Sequence, residues 1–173
     1  SVTIDRTIHF LWAAGFWLIG IAILSLASKV ARMNGYLKTF IQELTEVRSV
    51  PNWHCLAMNL YVIYLGSWLP DIDWMFKSHR SPFSHSILPF WLMLHLVKKY
   101  GSKVGNEDWN WKLLFVFGYA LSSHLITDIP PGGNIVSLPA WLDMPFLFLN
   151  GITIFGLTLW LQVKRRGISN PQI

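Results

Sequence analysis

Five apolar segments, residues 10–28, 53–69, 84–97, 111–128 and 145–163, divide this 173-residue chain, and their lengths limit what it can become. At about 1.5 Å of rise per residue, the first and last reach roughly 28 Å as helices, enough to cross the hydrocarbon core of a bilayer. The second and fourth are slightly shorter. The third has Pro89 near its start and is the shortest, so it either begins in the preceding loop or stops short of the far interface. The chain is 53% hydrophobic and 13% charged, about half the charged share of a soluble domain. The expected fold is all-α: a polytopic membrane bundle of about five apolar helices and one amphipathic helix. It forms a single domain over residues 1–173, with a C-terminal span at 145–163. The first run exceeds a signal-peptide core and is expected to be a retained span.

Charge placement then gives an orientation. Eleven basic residues fall on one side if the loops alternate: Lys29, Arg32, Lys38, Arg48, Lys98, Lys99, Lys103, Lys112, Lys164, Arg165 and Arg166. Only Arg6, Lys77 and Arg80 fall on the other. Cytoplasmic loops carry the excess of Lys and Arg, so the N-terminus is expected outside and the C-terminus in the cytoplasm of a bacterial inner (plasma) membrane. The net charge of +5 is scattered in short clusters with no continuous basic stripe, which argues against nucleic-acid binding. Cys55, the single cysteine, excludes an intrachain disulfide and a thiolate cage. Between the first two spans, Leu37, Phe40, Ile41, Leu44 and Val47 recur at helical spacing, with Lys38, Gln42, Glu43, Glu46 and Arg48 on the remaining faces. This segment is either an interfacial helix on the inner leaflet or a connecting helix packed on the bundle.

Ionisable groups beside apolar spans are costly unless they pair, meet water or hold an ion. The topology collects six of them at the outer side. Asp71 and Asp73 follow the second span, His85 opens the third, His124 and Asp128 lie one turn apart near the end of the fourth, and His9 caps the start of the first. Any one alone reads as a cap or a satisfied core residue. Together, imidazole and carboxylate donors without thiolate suit a divalent metal, with zinc the default and manganese or iron compatible. Arg80 offers a planar fork for phosphate oxygens, or else an ion pair with Asp71 or Asp73. His79 reads as a ligand or as the general acid for a leaving group. Ser84 and Ser86 flank His85 as supporting or capping residues. His54 and His95 fall too far from the outer end and read as interfacial or packing residues. The Pro/Gly-rich stretch "DIPPGGNIVSLPAWLD" is expected to be an outer loop over the site, with Asp143 in it as an outlying candidate.

The motifs "GSWLPDID", "HRSPFSHS", "SSHLITDIPPGG" and "RTIHFLWAAG" resemble, in order, those of the YdjM-like family of membrane-bound metal-dependent hydrolases. Ser81 and Ser84 stand where the family has Gly and Thr, and Trp74 stands where a His often follows Asp-Ile-Asp. The resemblance covers about residues 6–142 and implies a metal-site core there, with a metal set of His9, Asp71, Asp73, His79, His85, His124 and Asp128 holding one to three ions. The family's ligand pattern is similar to that of zinc-dependent phospholipase C, which implies hydrolysis of a phosphoester such as a lipid-linked phosphate. Asp71 or Asp73 would be the general base, and Asp71, Asp73, His79 and Arg80 the catalytic set. Membrane lipids are the implied partners. The alternative is a non-catalytic membrane subunit, or scaffold, whose polar cluster shapes an interface with a protein partner. Ion transport would need carboxylates deep inside the spans and ranks last.

Overall fold

The computed structural model describes residues 2–30, 36–45, 52–76, 80–129, 135 and 138–165, with side chains for 5–27, 40–44, 53–72, 80–129, 135 and 138–165. Among the described residues the regular structure is all helical, with no strand. The order is α1 (Val2–Val30), α2 (Tyr36–Thr45), α3 (Asn52–Trp68), a 3-10 helix (Leu69–Phe76), α4 (Leu88–Tyr100), α5 (Glu107–Thr127) and α6 (Ala140–Arg165). By length and composition, Asp5–Ala27 within α1 and Ala140–Arg165 could each cross a membrane.

The helices depart from the apolar segments for local reasons. Pro89 does not interrupt α4: it occupies the first turn, where a missing N–H costs nothing, and so marks a start that leaves only 13 residues. α1 begins well before residue 10, so His9 lies two turns inside the helix instead of capping it. α6 begins at Ala140, which places Trp141 and Asp143 on a helix and not in the preceding loop. The α5 start is capped by Asn106, whose side chain accepts from Trp109 N at 3.2 Å. Glu107 and Asp108 complement the dipole there. The residue just before the cap, Gly105, has φ +74°, a conformation that side chains rarely adopt.

α5 is the central element, and every residue from Leu114 to Leu125 is buried. One side packs Leu114, Phe117, Leu121 and Leu125 against Phe90 and Leu94 of α4 and Leu147 and Ile154 of α6. The other packs Phe115, Val116, Tyr119 and Ala120 against Ala13, Trp17 and Ile21 of α1 and Ile63 of α3. A helix enclosed on all sides by protein can hold polar side chains without exposing them to lipid. Gly66 lets α3 come close, since a Cβ there would meet the Ala120 Cβ at 2.8 Å.

α2 is packed on the bundle: Phe40 and Leu44 lie against the α1–α3–α5 core. Its expected polar face is corrected at one position. Glu43 is buried, because Gln162 Nε2 donates to its carboxylate at 2.9 Å while Tyr119 Oη donates to Gln162 Oε1 at 2.7 Å. This buried chain ties α2 to α5 and α6. Replacing Gln162 by Leu removes a partner from both ends, and a loss of about 1–3 kcal/mol is expected, read as a lower midpoint of thermal unfolding in detergent with metal binding retained.

Candidate metal centre

α5 presents His124 and, at its C-cap, Asp128, one turn apart on one face. The 3-10 helix that follows α3 brings Asp71 to them. The turn at 81–87 brings His85 and is closed by His85 N donating to Ser81 O at 3.0 Å. One donor atom from each of these four residues lies within 4.8 Å of the other three, so this buried group could hold a metal ion. His85 Nε2 is 3.5 Å from Asp71 Oδ1 and 3.4 Å from Asp128 Oδ2. His124 Nε2 is 3.7 Å and 3.4 Å from the same two atoms. The edges of a tetrahedron of ligands around zinc, with bonds of 2.0–2.1 Å, are about 3.4 Å.

Proton placement decides what faces the centre. His124 Nδ1 lies 2.6 Å from the Ser67 carbonyl oxygen. A carbonyl can only accept, so Nδ1 carries a proton and Nε2 is the ring nitrogen turned toward Asp71 and Asp128. This is the support that metal-binding imidazoles receive in general. It depends on α3 lying close to α5, which Gly66, the neighbour of Ser67, permits. His85 repeats the pattern: Ser84 Oγ donates to Ser81 O at 3.1 Å, and its oxygen stands 2.9 Å from His85 Nδ1, placed to accept. His124 Nε2 and Asp128 Oδ2 are buried without a hydrogen-bond partner. Electron-rich atoms converge here, and a cation must sit among them or a proton must bind.

The Asp128 carboxylate is shared between two sets of neighbours. Oδ2 faces His85 and His124, whereas Oδ1 lies 3.6 Å from His9 Nε2 and 3.8 Å from Arg80 Nη2. Thr127 Oγ1 donates to Ser123 O at 2.9 Å and stands 2.9 Å from His9 Nδ1, which holds His9 in place. The rings of His9 and His124 lie 4.8 Å apart. Arg80 pairs with Asp128 and also donates to the Asp128 carbonyl at 3.5 Å; Asp73, one of its expected partners, has its side chain outside the described residues. It does so from a backbone φ of 61°, a left-handed conformation that is uncommon outside glycine.

Thus the structure brings together His9, Asp71, Arg80, His85, His124 and Asp128. Asp73 lies in the 3-10 helix with its side chain outside the described residues, and His79 lies outside them altogether. Neither His54, which is exposed and stacked on Trp53, nor His95, exposed on α4, joins the cluster. Asp143 is buried on α6 and is not one of the four. The contributions that sequence reasoning missed come from backbone and hydroxyl groups, the Ser67 carbonyl and Thr127 Oγ1, which carry no residue-type signal.

Burial alone would push Asp71 up, but contact with His85 and the charge of His124 outweigh it and hold the carboxyl below its usual range. Burial alone would push His85 down, but the facing Asp128 and Asp71 carboxylates outweigh it and raise it to about 9. No protein-family model, curated protein or solved structure matches the chain.

Two outcomes follow for the purified protein. Metal analysis after zinc loading is expected to find bound ion in the wild type, lost to chelator, and to find that ion missing from His124→Ala. Below pH 9 an incoming ion must displace the His85 proton, because the raised pKa keeps that proton on. Zinc affinity is therefore expected to climb about tenfold per pH unit from pH 7 toward 9 and then level off, as titration with a chelator-buffered metal would show.

Proposed function

We propose that the protein is a membrane-embedded metallohydrolase that cleaves phosphoesters such as a lipid-linked phosphate, with zinc as its resident ion. The observation that carries this reading is the convergence of two carboxylates and two imidazoles, with His124 fixed through its far nitrogen by the Ser67 carbonyl. Nitrogen and carboxylate donors without thiolate suit zinc first, with manganese or iron compatible. The ordered motifs that resemble the YdjM-like family point to the same chemistry.

His85, His124 and Asp128 would hold the ion, and Asp71, the most exposed member of the group, would border its open position. When bound, it would supply Lewis acidity toward a phosphoryl oxygen and hydroxide at neutral pH. The residues divide the remaining tasks by exposure and charge. The Asp71 side chain is 35% exposed, whereas those of His85, His124 and Asp128 are 0%, 0% and 5% exposed, so water and substrate reach the centre past Asp71. Asp71, or Asp73 next to it in the 3-10 helix, accepts the proton of the attacking water. Arg80, already beside Asp128, directs its fork to the phosphate oxygens and balances charge that builds up on them. The net reaction adds water across the P–O bond and releases an alcohol and a phosphate.

A membrane setting with the site outside agrees with where the helices end. α3 and α5 run toward the site, and α1, α4 and α6 run away from it. Lys98, Lys99, Lys164 and Arg165 therefore lie at the opposite end, the cytoplasmic one by charge bias. On this reading α3, α4 and α5 complete a five-helix bundle within a bacterial inner membrane, although α4 is too short to span it alone.

The test is hydrolysis of phospholipids and lipid phosphates by zinc-loaded protein in detergent. Wild type is expected to turn over, His124→Ala and Asp71→Ala to lose a factor of about 100 or more, and Arg80→Lys to lose about 10–100. Full metal occupancy without turnover on any phosphoester would sink the hydrolase reading and leave the scaffold alternative.

A further inference from the structure

Asn150 stands inside the last apolar segment, in "FLFLNGITIF", and no step of the proposed hydrolysis uses it. A polar side chain in so apolar a run is costly unless it has partners. It has two. Its Nδ2 donates to Phe146 O, one turn earlier in α6, at 2.8 Å, and its Oδ1 accepts from Ile87 N at 2.9 Å. The second bond crosses to the start of α4, two residues after His85.

That start needs acceptors from outside the helix, because the first N–H groups of a helix have no partner within it. Ile87 is the cap residue of α4, and its own apolar side chain satisfies none of them. Leu88 N donates to Ser86 Oγ at 3.2 Å, Pro89 has no N–H, and Ile87 N is left to Asn150. A residue more than sixty positions away therefore does for α4 what Asn106 does locally for α5. The 81–87 turn is closed within itself by His85 N donating to Ser81 O, so a bond that fixes Ile87 also fixes the backbone that carries His85.

The same step of α6 is locked to α5. Gly151 O accepts from Ser122 Oγ at 2.7 Å, and a Cβ at Gly151 would meet Ile126 Cγ1 at 2.7 Å and Ser122 O at 3.3 Å. Ser122 and Ile126 flank His124 in the chain. Adjacent residues of α6 thus hold the two elements that carry the imidazoles of the cluster. The rings they set against each other have centroids 5.4 Å apart.

We propose that Asn150 is a positioning residue for the metal centre: together with Gly151 it makes α6 the ruler that sets the His85 turn against His124 and Asp128. It acts through Ile87 and the turn. The proposal rests on the metal reading of the centre and is independent of hydrolysis.

The test is titration of purified variants in detergent with chelator-buffered cobalt(II), whose visible absorbance depends on the geometry of its ligands. Asn150→Leu is expected to bind cobalt about 10–100-fold more weakly than the wild type and to change the absorbance of the bound ion. Asn150→Asp, which keeps an acceptor oxygen at the same reach, is expected to restore both. Gln162→Leu breaks a buried polar contact of the same helix about 18 Å further along it, and is expected to keep wild-type affinity. Wild-type affinity in Asn150→Leu, or an equal loss in Gln162→Leu, would overturn the proposal. A second arm needs no variant to fold. Coupling is reciprocal, so if the Asn150–Ile87 bond favours the ion, the ion strengthens that bond. In wild-type protein labelled with 15N-isoleucine, zinc is expected to slow hydrogen exchange of the Ile87 amide about tenfold more than that of Ile21 in α1. Equal slowing of the two amides also overturns the proposal. A wild type that binds neither metal removes the metal reading and the proposal together, whereas equal binding by wild type and Asn150→Leu removes the proposal alone.

Discussion

Four electron-rich atoms, two carboxylate oxygens and two imidazole nitrogens, face one another across 3.4–3.7 Å inside the protein. Burial removes the water that would screen the two carboxylates from each other, and in the absence of an ion a proton held on His85 offsets their charge. A metal ion placed among them would offset both carboxylates at once, and this group could hold one. Other features serve that arrangement. The Ser67 carbonyl orients His124, Ser84 stands against the far nitrogen of His85, and Thr127 positions His9 beside the second oxygen of Asp128.

The arrangement requires a helix that protein encloses on every side. α5 meets this need because α1 and α3 pack on one flank and α4 and α6 on the other. Ser122 is satisfied by donating to the Gly151 carbonyl at 2.7 Å, and Gly118 leaves room for Thr158 and Phe90. Small residues bring the neighbouring backbones close, and close backbones supply the acceptors that buried hydroxyls and imidazoles need. A buried Tyr119–Gln162–Glu43 chain performs a related task and anchors α2 to the bundle.

Much of this was legible beforehand. Apolar length pointed to helices, and the i, i+4 spacing of His124 and Asp128 put both on one face of the fourth. The gathering of Asp71 and His85 with that pair followed from alternating helix directions, which returns the ends of α3 and α5 and the start of α4 to the same side. Less legible was anything that depends on side-chain packing. Glu43 looked like a solvated residue because charge usually marks the exposed face, yet Gln162, more than a hundred residues later, offers it a buried donor. Arg80 had Asp71 and Asp73 as near neighbours in sequence, yet it also reaches Asp128, forty-eight residues later. Pro89 looked like a break in a span, whereas the first turn of a helix tolerates proline.

The sequence by itself determined the helical class, the apolar faces and the kinds of donor atom available, because these depend on residue type and on spacing within a single helix. Only the tertiary structure decided which donors meet. The division of Asp128 between two sets of neighbours and the proton on the far nitrogen of His124 arise from contacts between elements distant in the chain. Such contacts are set by how closely backbones approach at Gly66 and Gly151, and no local pattern encodes that distance.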